Sequence, residues 1–241
     1  MASLILLRHG QSLWNASRRY TGWADIGLSP QGREEARRAG RLLAAQGPPV
    51  DAAYSSCLVR ARETLALALA GQDPAWAGEP QAVWRLNERH CGVLEGLGKE
   101  QAARLFGYAP LAAFSHDLAA KPPDLAATDP RHPRFADLYR AVDPALLPAG
   151  ESIAEVIARV APWVTAELSP ALAAGHNVLL AGHGICLWAV LYQVGQEAGR
   201  ELPRFSLPNA SPLCLELTAD LTPLRLNFLA GAPAGALPEV F

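Results

Sequence analysis

The sequence predicts a three-layer α/β domain, a mostly parallel sheet flanked by helices, and three observations carry that expectation. The short apolar runs Leu4-Ile5-Leu6-Leu7 and Asn177-Val178-Leu179-Leu180-Ala181 have the length and composition of buried strands. Amphipathic stretches alternate with such runs, as parallel β-α-β units require. Two of the runs end at once in a His-Gly pair, His9-Gly10 and His183-Gly184. Ligands bind outside the carboxyl ends of strands in open α/β sheets, so both pairs stand where a site is built.

The elements follow in order. Ser29 is suited to cap a helix whose first residue is Pro30. From Gln31 to Gln46 the chain carries Ala36, Ala39, Leu42 and Leu43 on one helical face, and Gly47-Pro48-Pro49 ends it. Val50 to Tyr54 reads as a second strand, leading through Ser55-Ser56 into a helix over Leu58 to Ala70. Val83 to Leu86 reads as a third strand. Asn87 to Lys99 carries Gly92, Gly96 and Gly98 and reads as a functional loop. Short helices are expected over Lys99–Phe106 and Leu111–Leu118, then a proline-rich surface excursion from Ala119 to Pro133. A long helix over Ser152 to Ala174 is expected to kink at Pro162 and break at Pro170. After the strand at Asn177 come a helix over Ile185 to Val194 and a hairpin of Leu213–Leu217 with Leu224–Leu229. Residues 1–229 thus form one domain, and the Ala/Gly/Pro-rich stretch Ala230 to Phe241 is expected to be a mobile tail.

Composition narrows the function. Half of the 241 residues are hydrophobic and 18% are charged, which supports a substantial core and argues against wholesale disorder. The net charge of -2 disfavours a nucleic-acid binder built on diffuse positive charge and leaves room for a local basic pocket around a small anion. Cys57, Cys91, Cys186 and Cys214 are scattered without metal-ligand spacing and read as buried thiols. No leader-like segment or bilayer-length apolar run stands out, so a cytoplasmic protein is expected, with no membrane partner. The oligomeric state stays open, a homo-oligomer included.

Phosphoryl transfer without a metal needs a nucleophile, cations around the equatorial oxygens and an acid for the leaving group. Arg8 and His9 supply a cation and a nucleophile. Arg60 stands near the same sheet end on the helix after the second strand, whereas Arg62 lies off that face. Glu88 is the candidate acid, because a carboxyl buried beside a phosphoryl group can hold a proton near neutrality. The plainer alternatives are an exposed helix arginine for Arg60 and a salt bridge with Arg89 for Glu88. His90 reads as structural, and His132 and His176 as solvated loop residues. His9, His183 and Glu88 lack the His-x-x-x-His spacing of a metal site, so no metal is expected.

Leu-Arg-His-Gly-Gln-Ser at 7–12, Trp14-Asn15, Tyr20-Thr21-Gly22-Trp23, Asp25, Leu28-Ser29, Arg60-Ala61 and Leu86-Asn87-Glu88-Arg89-His90 resemble the 2,3-bisphosphoglycerate-dependent phosphoglycerate mutases, a branch of the histidine phosphatases. Lys99, Pro122-Pro123, Glu151-Ser152 and His183-Gly184 extend the match from residue 3 to about residue 229. The resemblance implies a mixed six-stranded sheet and a role for each position. His9 is then the phosphorylated nucleophile and Glu88 the proton donor and acceptor. Arg8, Arg60 and His183 clamp the phosphoryl group, with Ser12, Asn15, Thr21, Gly22 and Gly184 around it. Arg89 and Lys99 hold the rest of a small phosphorylated substrate. The implied activity interconverts 2- and 3-phosphoglycerate, with 2,3-bisphosphoglycerate as the phosphoryl primer and no metal.

The chain departs from that pattern at four positions. Ser115 and His116 stand where the family carries two arginines, Ile185 replaces an asparagine, and Cys91 replaces an aromatic residue. Charge-assisted hydrogen bonds contribute about 1.5–3 kcal/mol each. Loss of both arginines therefore weakens phosphoglycerate binding by roughly two orders of magnitude, unless Lys121, Arg131 or Arg134 compensates. The leading expectation is a mutase. Its rivals are a phosphatase on the same scaffold and a phosphoester-binding regulatory protein with little turnover.

Overall fold

The computed structural model describes residues 1–71, 76–202 and 206–229. Strand β1 (Ala2–Arg8) is the apolar run at the amino end. Helix α1 (Leu13–Ala16) is a single turn, and α2 (Pro30–Gln46) is capped by the Ser29 hydroxyl with proline in its first turn. Strand β2 (Ala52–Ser55), α3 (Val59–Leu69) and the two-residue edge strand β3 (Gln81–Ala82) follow. After α4 (Lys99–Phe106) and α5 (Tyr108–His116) the chain runs irregularly, with short 3₁₀ turns, to α6 (Ile153–Trp163). A π turn (Val164–Leu168) joins α6 to α7 (Ser169–Ala173). Then come β4 (Val178–Gly182), α8 (Gly184–Glu197) and the hairpin β5 (Leu213–Leu217) and β6 (Pro223–Phe228).

The six strands lie in the order β3-β2-β4-β1-β5-β6. The first four are mutually parallel, and β5 and β6 are antiparallel additions. Period-two alternation along β1 divides the core. Leu4 and Leu6 pack with residues of α6 and α8 on one face, whereas Ile5 and Leu7 pack with Ala39, Leu43, Leu65 and Ala68 of α2 and α3 on the other. All four are fully buried, and each such side chain contributes about 1.5–3 kcal/mol. The four cysteines are unpaired and buried, and among the described residues no helix is long and apolar enough to cross a membrane.

Three expectations are corrected. Trp84–Leu86 is a 3₁₀ turn rather than a strand. Val83 still donates to the Ser55 carbonyl, but Leu86 and Asn87 then bond back to Val83 and Trp84, which tucks Leu86 into the core. Helix α5 starts earlier than Leu111, directly after Gly107 (φ 80°), and ends at His116, before Leu118. His132 is buried rather than solvated, and its Nδ1 accepts from the Arg134 N–H. The expected break in the long helix is present as the π turn, where the Ser169 N–H reaches back to the Val164 carbonyl just before Pro170. Ala230–Phe241 lies outside the described residues.

Candidate active site

The register of β1 on β4 pairs Arg8 with Gly182, so His9 and His183 leave the sheet side by side from adjacent parallel strands. Their rings sit edge to face with centroids 5.1 Å apart, and both are buried. Neighbouring groups hold the His9 loop in place. The His9 N–H donates to the Gly182 carbonyl at 2.9 Å, Asn209 Nδ2 donates to the His9 carbonyl at 2.6 Å, and the Gly10 N–H donates to Thr64 Oγ1 at 3.1 Å. Glycine is needed at position 10 because a Cβ there would lie 2.2 Å from the Gly32 carbonyl oxygen at the start of α2.

The geometry around His9 fixes its chemistry. Its Nδ1 is 2.7 Å from the Gly10 carbonyl oxygen, which can only accept, so Nδ1 carries the proton and Nε2 keeps its lone pair. Burial, then the Arg60 and Arg8 charges, hold the imidazole pKa well below its ordinary value, against the Gly10 hydrogen bond. A neutral ring with a free Nε2 is a nucleophile.

Two arginines flank it. Arg8 Nη1 donates to the Leu207 carbonyl at 2.7 Å. Arg60 is 1% exposed, and its Nη1 and Nη2 donate to the carbonyls of Ala24 and Gly22, each at 2.8 Å. The exposed-helix alternative for Arg60 is thereby excluded. Burial lowers the Arg60 pKa to about 10, partly offset by Glu88, which leaves a cation at neutral pH. Arg8 Nε, Arg60 Nε and His183 Nδ1 are buried and make no hydrogen bond among the described residues. Such groups are expensive to bury unmatched, which makes these three nitrogens a candidate anion cradle beside His9. His183 also stands at the N-terminus of α8, where the helix dipole favours negative charge.

Glu88 is on the rim. Its carbonyl accepts from Trp23 Nε1 at 2.5 Å and Arg159 Nη2 at 3.2 Å, and its Oε1 accepts from the Arg89 N–H at 2.9 Å. The Arg89 guanidinium turns instead to the Phe114 carbonyl, and no side-chain salt bridge links the pair. A cleft of about 610 Å³ opens from this point, lined by Arg8, Glu88, Arg89, Lys99, Gly184 and Trp188 among others. Lys99 Nζ sits 3.3 Å from the Tyr20 ring centroid. Ser115, His116 and Ile185 line the same cleft. Three of the four departures from the mutase pattern therefore fall on one wall system. The fourth, Cys91, packs with Leu94, Ala102 and Tyr20 behind it, and burial raises its thiol pKa to about 11.

The structure also places the other expected residues. Ser12 and Asn15 form the capping box of α1, in which Ser12 Oγ accepts from the Asn15 N–H and Asn15 Oδ1 from the Ser12 N–H. Thr21 Oγ1 is buried without a partner, and Gly22 (φ 53°) offers Arg60 its carbonyl rather than an N–H. Lys121 is ion-paired with Asp124 and Glu155, and Arg131 with Asp129, so neither replaces the missing arginines. Arg134 is likewise not among the residues lining the cleft. No metal-binding cluster occurs among the described residues.

The match extends beyond geometry. The model of the histidine phosphatase superfamily (branch 1) matches residues 4–146 and 123–227. The chain belongs to this superfamily. Its structural neighbours include a mycobacterial glucosyl-3-phosphoglycerate phosphatase in complex with VO3, 25% identical over 94% of this chain and 96% of the other, with a TM-score of 0.67. A putative alpha-ribazole-5'-P phosphatase from Escherichia coli is 20% identical over 95% of both chains with a TM-score of 0.67, and Bacillus stearothermophilus YhfR is 24% identical over 90% and 92% with a TM-score of 0.63. These last two likenesses establish the fold alone. The mycobacterial neighbour carries a phosphatase name, whereas the sequence motifs lead to the expectation of a mutase.

Two buried residues of this histidine phosphatase escaped sequence reasoning. Arg159 pairs with Glu151 at 2.6 Å and donates to the carbonyls of Arg85, Asn87 and Glu88, which fixes the Glu88 loop. Its signal was an arginine within the apolar stripe Ile153, Val156, Val160 and Trp163. Glu95 Oε2 accepts from the N–H groups of Trp23 and Ala24, and burial raises its pKa to about 7. No spacing marked it.

Proposed function

We propose that this histidine phosphatase hydrolyses small phosphomonoesters through a phosphohistidine at His9. The observation that carries the reading is the set of unmatched buried nitrogens of Arg8, Arg60 and His183 around a neutral, lone-pair-bearing His9. His9 Nε2 attacks phosphorus while the ester P–O bond breaks, and Glu88 protonates the departing alkoxide. Water then attacks the phosphohistidine, Glu88 takes its proton, and inorganic phosphate leaves. The two cations and the His183 ring stabilise the charge on the equatorial oxygens without a metal.

Hydrolysis is favoured over transfer by the cleft wall. Ser115, His116 and Ile185 stand in place of the charged and amide groups that would hold a phosphoglycerate acceptor, in a cleft of about 610 Å³. The phosphatase name of the 25% identical mycobacterial neighbour supports the same choice. The mutase reading, primed by 2,3-bisphosphoglycerate, rests on Thr21-Gly22-Trp23 and Asn87-Glu88-Arg89-His90. A regulatory binder needs neither nucleophile nor acid.

A coupled assay with 3-phosphoglycerate, with and without 2,3-bisphosphoglycerate, separates the readings. The expected result is phosphate release exceeding isomerisation, with no requirement for the primer, and an acid-labile phosphate on the His9 peptide after rapid quench. Isomerisation that dominates and depends on the primer makes the protein a mutase. Label absent from His9 removes both readings.

A further inference from the structure

His183 presents one nitrogen to Ser56 and the other to the anion cradle. Its Nε2 is 2.7 Å from Ser56 Oγ, and its Nδ1 is buried without a partner among the described residues. The Ser56 hydroxyl, itself fully buried, also accepts from the Leu58 N–H at 3.2 Å. Two proton arrangements are compatible with the short contact. In the first, Nε2–H donates to Ser56, which leaves the hydroxyl proton with no other acceptor among the described residues and turns a lone pair of Nδ1 toward the cradle. In the second, the Ser56 O–H donates to Nε2, the Leu58 N–H occupies an oxygen lone pair, and Nδ1 carries a proton. Only the second satisfies the serine, and only the second gives the cradle a donor where phosphoryl oxygens would otherwise meet a lone pair.

We infer that Ser56 is a positioning residue that locks His183 in the Nδ1–H tautomer, so that a neutral imidazole donates to the transferring phosphoryl group. The lock matters because charge is not available as a substitute. Burial and the charges of Arg60 and Arg8 oppose a second proton on the ring in the ligand-free protein. Ser56 holds its position by local structure. It follows β2 directly, its N–H donates to the Ala181 carbonyl of β4, and α3 begins three residues later. The same turn that brings Arg60 to the site therefore sets the protonation of the residue opposite. This inference concerns the phosphoryl-binding role given to His183 above and rests on that reading.

The test is long-range ¹H–¹⁵N correlation on the full-length, ¹⁵N-histidine-labelled protein at neutral pH, with the His183 signals assigned by their loss in His183→Gln. The expected pattern is a protonated Nδ1 and an unprotonated Nε2 in the absence of any ligand. Ser56→Ala should then populate the other tautomer and lower kcat toward p-nitrophenyl phosphate by up to about 10²-fold, the scale of losing one preorganised donor. Ser56→Thr, which keeps the hydroxyl, should restore both the spectrum and most of the rate. An Nε2–H tautomer or an imidazolium in the wild-type spectrum overturns the inference whether or not the alanine variant folds. An unchanged His183 tautomer in folded Ser56→Ala overturns it as well. A protonated Nδ1 in a protein that hydrolyses no phosphomonoester supports the lock and refutes the proposed function, so the two failures are distinguishable.

Discussion

The carboxylate of Glu95 holds the backbone N–H of Trp23 at 2.9 Å across 72 positions of sequence. The same oxygen accepts from the Ala24 N–H at 3.0 Å, and the carbonyls of Gly22 and Ala24 hold the two terminal nitrogens of Arg60. A chain of contacts thus runs from Glu95 through a three-residue loop to one arm of the anion cradle. Glu95→Ala should loosen Arg60 and lower kcat/KM for p-nitrophenyl phosphate by roughly tenfold or more, the scale of one hydrogen bond to a charged group. Glu95→Gln retains an acceptor oxygen and should stay close to wild type. Equal losses in the two variants would show that the loop is held by other means.

Glu95 also shapes the pH dependence of stability. Its folded pKa of about 7 exceeds the ordinary 4.5, so its contribution is complete below pH 4.5 and is lost as pH rises through 7. His90 acts in the opposite sense. Burial lowers its pKa from 6.5 to about 3, so its contribution is complete above 6.5 and is lost as pH falls toward 3. His9 and His183, both depressed, add to the histidine slope. Each group contributes roughly 1.4 kcal/mol per pH unit inside its window. Between pH 4.5 and 6.5, Glu95→Gln should therefore make the rise of stability with pH steeper by about that amount. Parallel wild-type and variant curves from urea melts would refute the assignment.

Glu88→Gln preserves size and keeps an acceptor for the Arg89 N–H, yet removes the proton required by the leaving alkoxide. General acid catalysis contributes about 10²–10⁴-fold, so turnover of alkyl phosphates should fall by that order while orthovanadate still binds. Aryl phosphates, whose leaving groups need less protonation, should lose less. A uniform loss across both substrate types in the single-turnover rate of His9 phosphorylation, the step before Glu88 acts as base toward water, would mean that Glu88 shapes the cleft without donating a proton.

The cleft wall makes a further prediction. Combining Ser115→Arg, His116→Arg and Ile185→Asn restores two guanidinium groups and an amide to positions that line the site. The triple variant should lower KM for 3-phosphoglycerate and raise the ratio of isomerisation to phosphate release, because an acceptor held near phospho-His9 outcompetes water. Steady-state kinetics with both products measured decides the matter, and an unchanged ratio removes these positions from the control of specificity.

The layers, the strand ends and the candidate site residues were legible because each leaves a local mark. Apolar runs of fixed length gave β1 and β4, and the His-Gly pairs fell where the sheet register brings His9 and His183 together. The supporting contacts were less visible. Arg159 and Glu95 act through backbone carbonyls and N–H groups of distant loops, and a backbone partner has no residue type to recognise. His132 reads as solvated because its neighbours in sequence are polar, yet it is buried, since burial is decided by neighbours in space. Trp84–Leu86 carried a strand-like composition and was overridden by tertiary contacts, including the Arg159 bond to the Arg85 carbonyl.

The strand order has a consequence for biosynthesis. Strand β1 (Ala2–Arg8) is translated long before its hydrogen-bonding neighbours, β4 (Val178–Gly182) and β5 (Leu213–Leu217). Leu4, Ile5, Leu6 and Leu7 therefore leave the ribosome as an unpaired apolar ribbon and wait for Val178–Ala181 before either edge is closed. A nascent chain that stops short of β4 holds His9 at the end of an orphan strand, exposed to aggregation and without His183 beside it.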